Sequence, residues 1–403
     1  MYIEREIEGT ITELLAQFKV VLITGPRQVG KATMLQHVLS STHAYVTLDN
    51  ILALKTALDD PPLFFLENPP PLIIDEVQYA QDIFRQIKLI VDQSDARGSI
   101  VLTGSQPYHL MQHISDSLAG RIAILEMSGL SQRELTGHIT RKPFIPHESM
   151  LQKNSRLKDA HQLWARIHRG SMPELQNETI DWATYYQGYV RSYIERDVRE
   201  LIRLKDEIKF YNFLVAMAAR TGQIFNAASI ANDLDISLKT VQSWASILEA
   251  SSIMRFVRPY HENINKQLIK APKPYFYDTG LVCHLLGWNS PEVLQSGAMA
   301  GQLFETFAVS EILKSHQNAG EDFRNIFFYR DTEKREIDLV IRSGRSLHPI
   351  EIKKTANPRR EMTSSFKALD AFSLDIGIGA LVCMTNKSNL LAQDVLALPI
   401  DLI

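Results

Sequence analysis

A loop with a glycine at each end, close to the start of the chain, constrains the fold more than any other feature. It follows the apolar run 20–23 and precedes an amphipathic segment, and it consists of Gly25, Pro26, Arg27, Gln28, Val29, Gly30, Lys31, Ala32 and Thr33. A strand, then such a loop ending in lysine, then a helix is the order of a phosphate-binding P-loop. The loop N–H groups and the new helix N-terminus attract an anion, and Lys31 would contact the β- and γ-phosphates. The sequence therefore predicts an ATP site here.

One position departs from the usual P-loop pattern. The residue after the lysine normally supplies a Ser or Thr hydroxyl to Mg²⁺, but this chain has Ala32, followed by Thr33. Magnesium would lose one protein ligand, so we expect ATP hydrolysis to be slow.

Short apolar runs then alternate with helix-like segments. The predicted strands are 19–24, 44–48, 72–75, 100–103 and 122–125, after a lead-in helix within 1–18. Such alternation predicts a parallel sheet covered by helices on both faces. The sequence thus indicates an α/β fold for this region.

Acidic and hydroxyl side chains follow two of these strands. Asp75 and Glu76 end an apolar run in the Walker B pattern, in which Asp75 would hold Mg²⁺ and Glu76 would orient the attacking water. The next strand ends in Thr103, and Ser105 follows it; polar residues at this place resemble the γ-phosphate sensor of AAA-type ATPases. Arg121, just before the fifth strand, would contact nucleotide in its own or a neighbouring subunit, or would simply be solvated; Arg196 is a second candidate.

The region around residues 226–250 has the spacing of a helix-turn-helix. Ser237 is placed to cap its second helix, and the segments 253–257 and 275–277 would supply a wing. The outward face, with Lys239, is only mildly basic, so this element would bind either DNA or another protein.

A second group of ionisable residues lies in the last quarter of the chain. Glu305 is on a predicted helix, Asp338 lies inside an apolar strand, and Glu351 and Lys353 share one face of the next strand. Burying these groups is costly unless they pair or bind metal. These four residues would therefore either form a buried ion-pair cluster or bind a divalent cation.

Taken together, these motifs resemble a group of prokaryotic AAA-type ATPases whose C-terminal half is catalogued as a domain of unknown function. That half is similar to the PD-(D/E)xK core of restriction endonucleases. The residues that carry the resemblance are 25–33, 72–78, 102–106, 117–121, 193–199 and 336–353. The resemblance implies ATP binding and a homo-oligomer in which an arginine of the next subunit completes each ATP site. It also implies that Glu305, Asp338, Glu351 and Lys353 form a nuclease-like metal site.

Composition narrows the remaining possibilities. The formal net charge of −3 gives no general affinity for nucleic acid, so any DNA-binding surface must be local. The N-terminus is too polar for a signal peptide, no apolar run reaches membrane-spanning length, and Cys283 and Cys383 lack metal-site spacing. We therefore expect a cytoplasmic protein with buried cysteines and no membrane partner.

The sequence thus predicts three regions: a P-loop ATPase domain at 1–180, a helical region with a winged helix at 181–290, and a restriction-endonuclease-like α/β domain at 291–403. The leading hypothesis is an ATPase that requires ATP and Mg²⁺, acts on DNA and carries a metal-dependent nuclease-like domain. The alternative is a non-catalytic nucleotide switch with a relic nuclease fold. A small-molecule kinase fits less well, because Asp75 and Glu76 suit ATP hydrolysis and no acceptor pocket is evident.

Overall fold

The computed structural model describes residues 2–105, 118–157, 159–194, 207–262 and 270–403. Arg196 lies outside these residues. Within the described ranges, no helix combines the length and the apolar character needed to cross a bilayer.

The N-terminal region is built on a five-stranded sheet. Its strands are β1 (Val20–Thr24), β2 (Ala44–Thr47), β3 (Leu72–Asp75), β4 (Ile100–Thr103) and β5 (Ile122–Glu126). They are arranged in the order β2-β3-β4-β1-β5, and every pairing is parallel. The predicted parallel sheet is therefore confirmed. Because all strands run the same way, their carboxyl ends lie at one edge, and the P-loop leaves β1 at that edge.

Six helices of the described chain belong to this region. They are α1 (Ile7–Gln17), α2 (Lys31–Leu39), α3 (Ile51–Asp59), α4 (Pro61–Glu67), α5 (Ile83–Asp92) and α6 (Gln132–Leu135). Their starts have recognisable causes in the sequence: the Asn50 side chain accepts from the N–H groups of Leu52 and Ala53, and Asp60 caps α4 ahead of its two prolines.

The middle region is helical. Its helices are α7 (Ala160–Arg169), α8 (Trp182–Tyr189), α9 (Glu207–Ala219), α10 (Ala227–Leu234) and α11 (Leu238–Ala250). The last two are the predicted helix-turn-helix pair, and the Ser237 side chain accepts from the Thr240 N–H as its capping role requires. Val241, Trp244 and Leu248 of α11 are buried.

The C-terminal region contains a nine-stranded mixed sheet. Three helices, α12 (Thr279–Leu285), α13 (Pro291–Ser296) and α14 (Ala300–Asn318), lie among its strands in the sequence. The strands are β6 (Met254–Pro259), β7 (Lys273–Phe276), β8 (Ile326–Arg330), β9 (Glu336–Ser343), β10 (Ser346–Ile352), β11 (Asp375–Ile376), β12 (Gly379–Cys383), β13 (Asn389–Ala392) and β14 (Val395–Pro399). Eight of them follow the order β13-β14-β12-β10-β9-β8-β6-β7, and β11 pairs with β10.

The two strands expected to form a wing are part of this sheet. β6 pairs antiparallel with β7, as in a hairpin, but β6 also pairs parallel with β8. The helix-turn-helix is therefore followed directly by strands of the C-terminal sheet, and the winged-helix assignment remains a prediction.

Helix α14 lies at the centre of the molecule. Nearly all of its residues are buried, including polar ones such as Glu311 and Lys314. One continuous apolar core includes Val21 and Ile23 of the first sheet, Phe304 of α14 and Ile350 of the second sheet. Both cysteines are buried and unpaired, as expected.

Candidate functional site

The P-loop connects β1 to α2 through backbone conformations that favour glycine. Gly25 has φ +136°, and a Cβ at this position would lie 2.0 Å from the Met127 carbonyl oxygen, so only glycine fits. Gly30 has φ +91° and forms the N-cap of α2. Lys31 Nζ donates to the carbonyl oxygens of Gly25 at 3.0 Å and Pro26 at 2.8 Å, so its amine folds back over the loop.

The other loop residues differ in exposure. Pro26 and Val29 are buried, Arg27 and Ala32 are half-buried, and Gln28 and Thr33 are exposed. Gln28 accepts a hydrogen bond from the Tyr185 hydroxyl at 2.9 Å, which connects the loop to α8. Ala32 brings no oxygen atom to the site, as the sequence indicated.

A cavity of about 360 Å³ opens beside the loop. Its lining includes Gly30 and Thr33 together with Tyr2, Arg5 and Glu174. Arg5 is buried and donates from Nη1 to the Val29 carbonyl at 2.8 Å, which holds the N-terminal segment against the loop. Sequence reasoning missed Tyr2 and Arg5, because nothing in their neighbourhood resembles a nucleotide motif.

Asp75 lies at the carboxyl end of β3 and is bound by two hydroxyl groups. Thr103 donates from Oγ1 to Asp75 Oδ1, and the Tyr45 hydroxyl donates to Asp75 Oδ2 at 2.7 Å. Burial, the hydrogen bond to Asp75 and its negative charge all raise the pKa of Tyr45, so this hydroxyl remains a donor. Tyr45 was not identified from the sequence, although its strand is the parallel neighbour of β3.

Glu76 follows in a backbone conformation that is uncommon for a residue other than glycine, with φ +55°. Its carboxylate accepts from Gln78 Nε2 and from Ser105 Oγ, the latter at 3.2 Å. The structure therefore brings Asp75, Glu76, Thr103 and Ser105 together, at the edge of the sheet from which the P-loop also leaves.

Arg121 lies at the amino ends of the strands, whereas the P-loop lies at their carboxyl ends. It precedes β5, whose first residue pairs with Val20 at the start of β1, whereas the P-loop follows the end of β1. Its guanidinium forms two hydrogen bonds with Asp92, Nε to Oδ1 at 2.5 Å and Nη2 to Oδ2 at 3.1 Å. A five-residue strand spans about 15 Å, so Arg121 does not reach the P-loop of its own chain.

The four residues singled out in the C-terminal region also come together. Asp338 and Glu351 are each only 6 % exposed. Lys353 Nζ lies 2.6 Å from Glu351 Oε1 and 3.4 Å from Asp338 Oδ2. The Ile352 N–H donates to Asp338 Oδ2 at 2.7 Å. Glu305 of α14 lies close enough to interact electrostatically with Asp338. Burial, and then the negative charge of Asp338, raise the pKa of the Glu305 carboxyl.

Two residues of β7 and one of β9 complete the cluster. The Tyr275 hydroxyl donates to Glu305 Oε1 at 2.7 Å. Lys273 Nζ, which is buried, donates to Glu336 Oε1 at 2.5 Å and lies 3.8 Å from Glu305 Oε1. We call Lys273, Tyr275, Glu305, Glu336, Asp338, Glu351 and Lys353 the carboxylate cluster. The two-residue spacing of Lys273 and Tyr275 indicates that they share one face of a strand. It does not indicate that this face contacts the other members of the cluster, which lie far away in the sequence.

The four carboxylates of this cluster have three cationic partners: Lys273, Lys353 and Arg330, whose Nη1 lies 3.6 Å from Glu336 Oε2. Burial and the charge of Asp338 raise the pKa of Glu305 to about 7 and that of Glu351 to about 8. The buried Glu351 Oε2 has no hydrogen-bond partner. As the side chains stand, no group of three or more His, Cys, Asp or Glu residues in the described ranges is arranged to hold a metal ion. A divalent cation would nevertheless favour the ionised forms of the buried carboxylates beside Glu351 Oε2, and Lys353, with 43 % of its side chain exposed, has room to move aside.

Comparison with known protein families identifies the region that contains the P-loop. Residues 17–136 match the family described as AAA domain. This region is an AAA-type P-loop ATPase domain. Residues 160–292 and 300–403 match two families, each described only as a domain of unknown function (DUF8612 and DUF4143). The nuclease-like character of the last region therefore rests on its residues alone.

Two relatives that match this chain carry no functional description. An uncharacterised protein of Mycobacterium tuberculosis is 27 % identical over 407 residues, an alignment that covers 100 % of this chain and 85 % of the relative. An uncharacterised protein of Methanocaldococcus jannaschii is 22 % identical over 322 residues, and this alignment covers 71 % of this chain and 66 % of the relative.

Solved structures show only distant similarity. The Walker-type ATPase of Pyrococcus abyssi covers 70 % of this chain and 96 % of its own at 15 % identity, with a TM-score of 0.41. The RuvB Holliday junction branch migration motor of Thermotoga maritima covers 65 % and 93 % at 17 % identity, with a TM-score of 0.31. At these TM-scores the likeness carries no argument about function.

Proposed function

We propose that this chain binds and slowly hydrolyses ATP and uses the cycle to act on DNA. The observation that carries the ATPase part is the convergence of Lys31, Asp75, Glu76 and Ser105 at one edge of a parallel sheet. A small-molecule kinase would instead need an acceptor pocket and a base for the acceptor hydroxyl, whereas Glu76 is suited to orienting water.

Each residue has a defined task in this proposal. Lys31 exchanges its two carbonyl partners for β- and γ-phosphate oxygens. Glu76 orients the water that attacks the γ-phosphorus; the bond to ADP breaks, and phosphate and a proton are released. Ser105 now donates to Glu76 and is also placed to sense the γ-phosphate. Mg²⁺, when bound, neutralises phosphate charge; Asp75 would hold it directly or through water, while Ala32 offers no ligand.

ATP binding and turnover, measured with and without DNA, test the proposal. Lys31→Ala should abolish binding in calorimetry, whereas Glu76→Gln should spare binding and stop turnover. Single-stranded, duplex and branched DNA should each be added to the wild type, and at least one should stimulate turnover. Binding without turnover in the wild type would favour the nucleotide switch, and unchanged ATP affinity of Lys31→Ala would refute the site.

A second candidate activity resides in the carboxylate cluster, where we propose metal-dependent cleavage of a DNA phosphodiester. The specific observation is the buried Glu351 Oε2, which has no hydrogen-bond partner although it lies in one cluster with the carboxylates of Asp338 and Glu305. Glu305, Asp338 and Glu351 would hold a divalent cation, which lowers the pKa of a bound water and so supplies the nucleophile. Lys353 would stabilise the negative charge that develops on the phosphate.

Incubation of linear and branched DNA with Mg²⁺ or Mn²⁺ tests this second activity. Asp338→Ala and Lys353→Ala should both lose cleavage, with Arg85→Ala, an exposed substitution on α5, as the control. If metal binds but no DNA is cleaved, the cluster would serve to bind DNA through the metal ion and would not be a nuclease site. If no metal binds, the cluster is structural and the relic interpretation holds for this region.

A further inference from the structure

An arginine-rich groove lies between the helix-turn-helix and the C-terminal sheet, apart from both sites described above. Its volume is about 610 Å³, and four arginines line it: Arg255, Arg258, Arg324 and Arg342. Glu249, at the end of α11, is the one acidic residue in its lining. A chain with a net charge of −3 thus concentrates positive charge at one concave surface.

Two of these arginines are already partly engaged. Arg255 Nε lies 3.8 Å from Glu249 Oε1, and its guanidinium lies 4.4 Å from the centre of the Phe323 ring. Arg324, with 86 % of its side chain exposed, pairs with Asp322. An exposed pair of this kind contributes little and exchanges readily for another anion.

The other two arginines have no such partner. Arg258 and Arg342 are both exposed, and among the described residues neither lies within ion-pair distance of a carboxylate. Within the described ranges, the one hydrogen bond of the Arg342 side chain is a long contact of 3.4 Å from Nε to the Gly344 carbonyl. Their positive charges are therefore available to an external anion.

The aromatic rings of the groove are not available for base stacking. Arg255 covers Phe323, Phe256 packs against Phe225 at 5.1 Å, and Phe327 packs against Tyr260 at 5.4 Å. Single-stranded nucleic acid is usually held by stacking on exposed rings, and base readout needs polar groups that fit base edges. A groove with covered rings and free guanidinium groups suits the phosphate backbone.

We infer that this groove binds the sugar–phosphate backbone of duplex DNA without reading its sequence, a role that rests on the DNA action proposed above. Arg258 is paired with Phe327 of β8, which in turn is paired with Val340 of β9, two residues before Arg342. The Cα atoms of the two arginines are therefore separated by two strand spacings of about 4.8 Å and by two residues of about 3.3 Å along the strand, which together give about 12 Å. The rise of about 3.4 Å per nucleotide runs along the helix axis, and neighbouring phosphates of one strand lie about twice as far apart, so the two arginines can contact different phosphates of that strand. The exposed Lys239 of α11 lies outside the lining of the groove, so this helix would remain available for contacts with the bases.

Salt-dependent DNA affinity of the full chain tests this assignment. Fluorescence anisotropy with a labelled duplex, in EDTA and between 50 and 300 mM KCl, should give a slope of log affinity against log salt of about −3.6 for four contacts. The double variant Arg258→Ala/Arg342→Ala should flatten the slope by about 2 and weaken binding by about 100-fold. Arg85→Ala, which removes an exposed arginine of α5, should match the wild type. Duplexes of unrelated sequence should bind the wild type within about threefold of one another.

The outcomes separate this inference from the proposed function. If the wild type binds neither duplex nor single-stranded DNA, the DNA part of the proposed function fails, and the groove assignment fails with it. If the wild type binds duplex DNA and the double variant binds equally well with the same slope, only the groove assignment fails. Competition by polyglutamate as effective as competition by DNA of equal charge would show an acidic-protein surface and would overturn the phosphate assignment. A retained circular-dichroism spectrum and ATP affinity exclude misfolding of the variant.

Discussion

Substituting Glu351 by glutamine is expected to stabilise the metal-free protein, although it removes a partner of Lys353. The pKa of the Glu351 carboxyl is raised from 4.5 to about 8, chiefly by burial and then by Asp338. A raised carboxyl pKa means that the folded state holds a proton which the unfolded state releases above pH 4.5. The stability of the wild type therefore falls as the pH rises from about 4.5 to about 8, and it stays low above that pH.

The size of the effect follows from this shift. Each pKa unit corresponds to about 1.4 kcal/mol, so ionised Glu351 costs about 4 kcal/mol more at pH 8.5 than at pH 5. Glutamine is a neutral isostere and escapes this cost. In EDTA, Glu351→Gln should raise the free energy of unfolding by about 5 kcal/mol at pH 8.5 and by about 1 kcal/mol at pH 5. Urea unfolding followed by tryptophan fluorescence measures this as a midpoint shift of about 1 M at the higher pH.

Two companion variants make the comparison sharper. Glu305→Gln should stabilise less, because the pKa of Glu305 is raised only to about 7. Glu336→Gln loses a 2.5 Å ion pair with Lys273 and should destabilise the protein. Mn²⁺ at about 100 times its Kd should add about 2.7 kcal/mol to the wild type and nothing to Glu351→Gln. A Glu351→Gln variant that is less stable than the wild type at pH 8.5 would show that the cluster holds the fold together, contrary to the metal-site proposal.

Three further expectations concern the ATP site. Ala32→Thr restores a hydroxyl ligand and should raise ATP turnover about tenfold at saturating Mg²⁺; an unchanged rate would mean that the missing ligand is not limiting. Tyr45→Phe removes one of the two hydroxyl donors to the magnesium-binding aspartate and should raise the Mg²⁺ concentration for half-maximal turnover about tenfold, as a titration at fixed ATP would show. If the active form is a homo-oligomer in which Arg121 serves the neighbouring subunit, mixing Arg121→Ala with Glu76→Gln subunits should recover turnover that each lacks alone; no recovery would argue against a role in trans.

The sequence predicted the sheet of the ATPase domain closely, for a physical reason. Strands buried on both faces must be apolar throughout, so β1, β3 and β4 appear as short hydrophobic runs between polar boundaries. The residues at their carboxyl ends then converge because parallel strands end at one edge. This property of parallel sheets was enough to predict from the sequence that Asp75 and Thr103 lie side by side, as the structure shows.

Other contacts had no local signal. Arg121 and Asp92 are 29 residues apart, and their pairing depends on where α5 ends relative to β5. Lys273 joins Glu336 across 63 residues, through the parallel pairing of β6 with β8. Such pairings are decided by how the sheet closes, whereas periodicity reports only which face of an element is apolar.

Helix α14 has a practical consequence for anyone who wishes to isolate the C-terminal region. Near its start, Glu305 belongs to the carboxylate cluster; two turns later, Glu311 accepts from the Gln132 N–H at 2.6 Å and Lys314 donates to the Leu130 carbonyl at 3.1 Å. A fragment beginning at residue 291 would keep the ion pair between Glu311 and Lys314 but would lose both of these backbone partners, and it would also lack Lys273 and β6, the neighbour of β8. Exposed strand edges and polar groups that have lost their partners favour aggregation. Activity measurements therefore need the whole chain, with single substitutions in place of truncations.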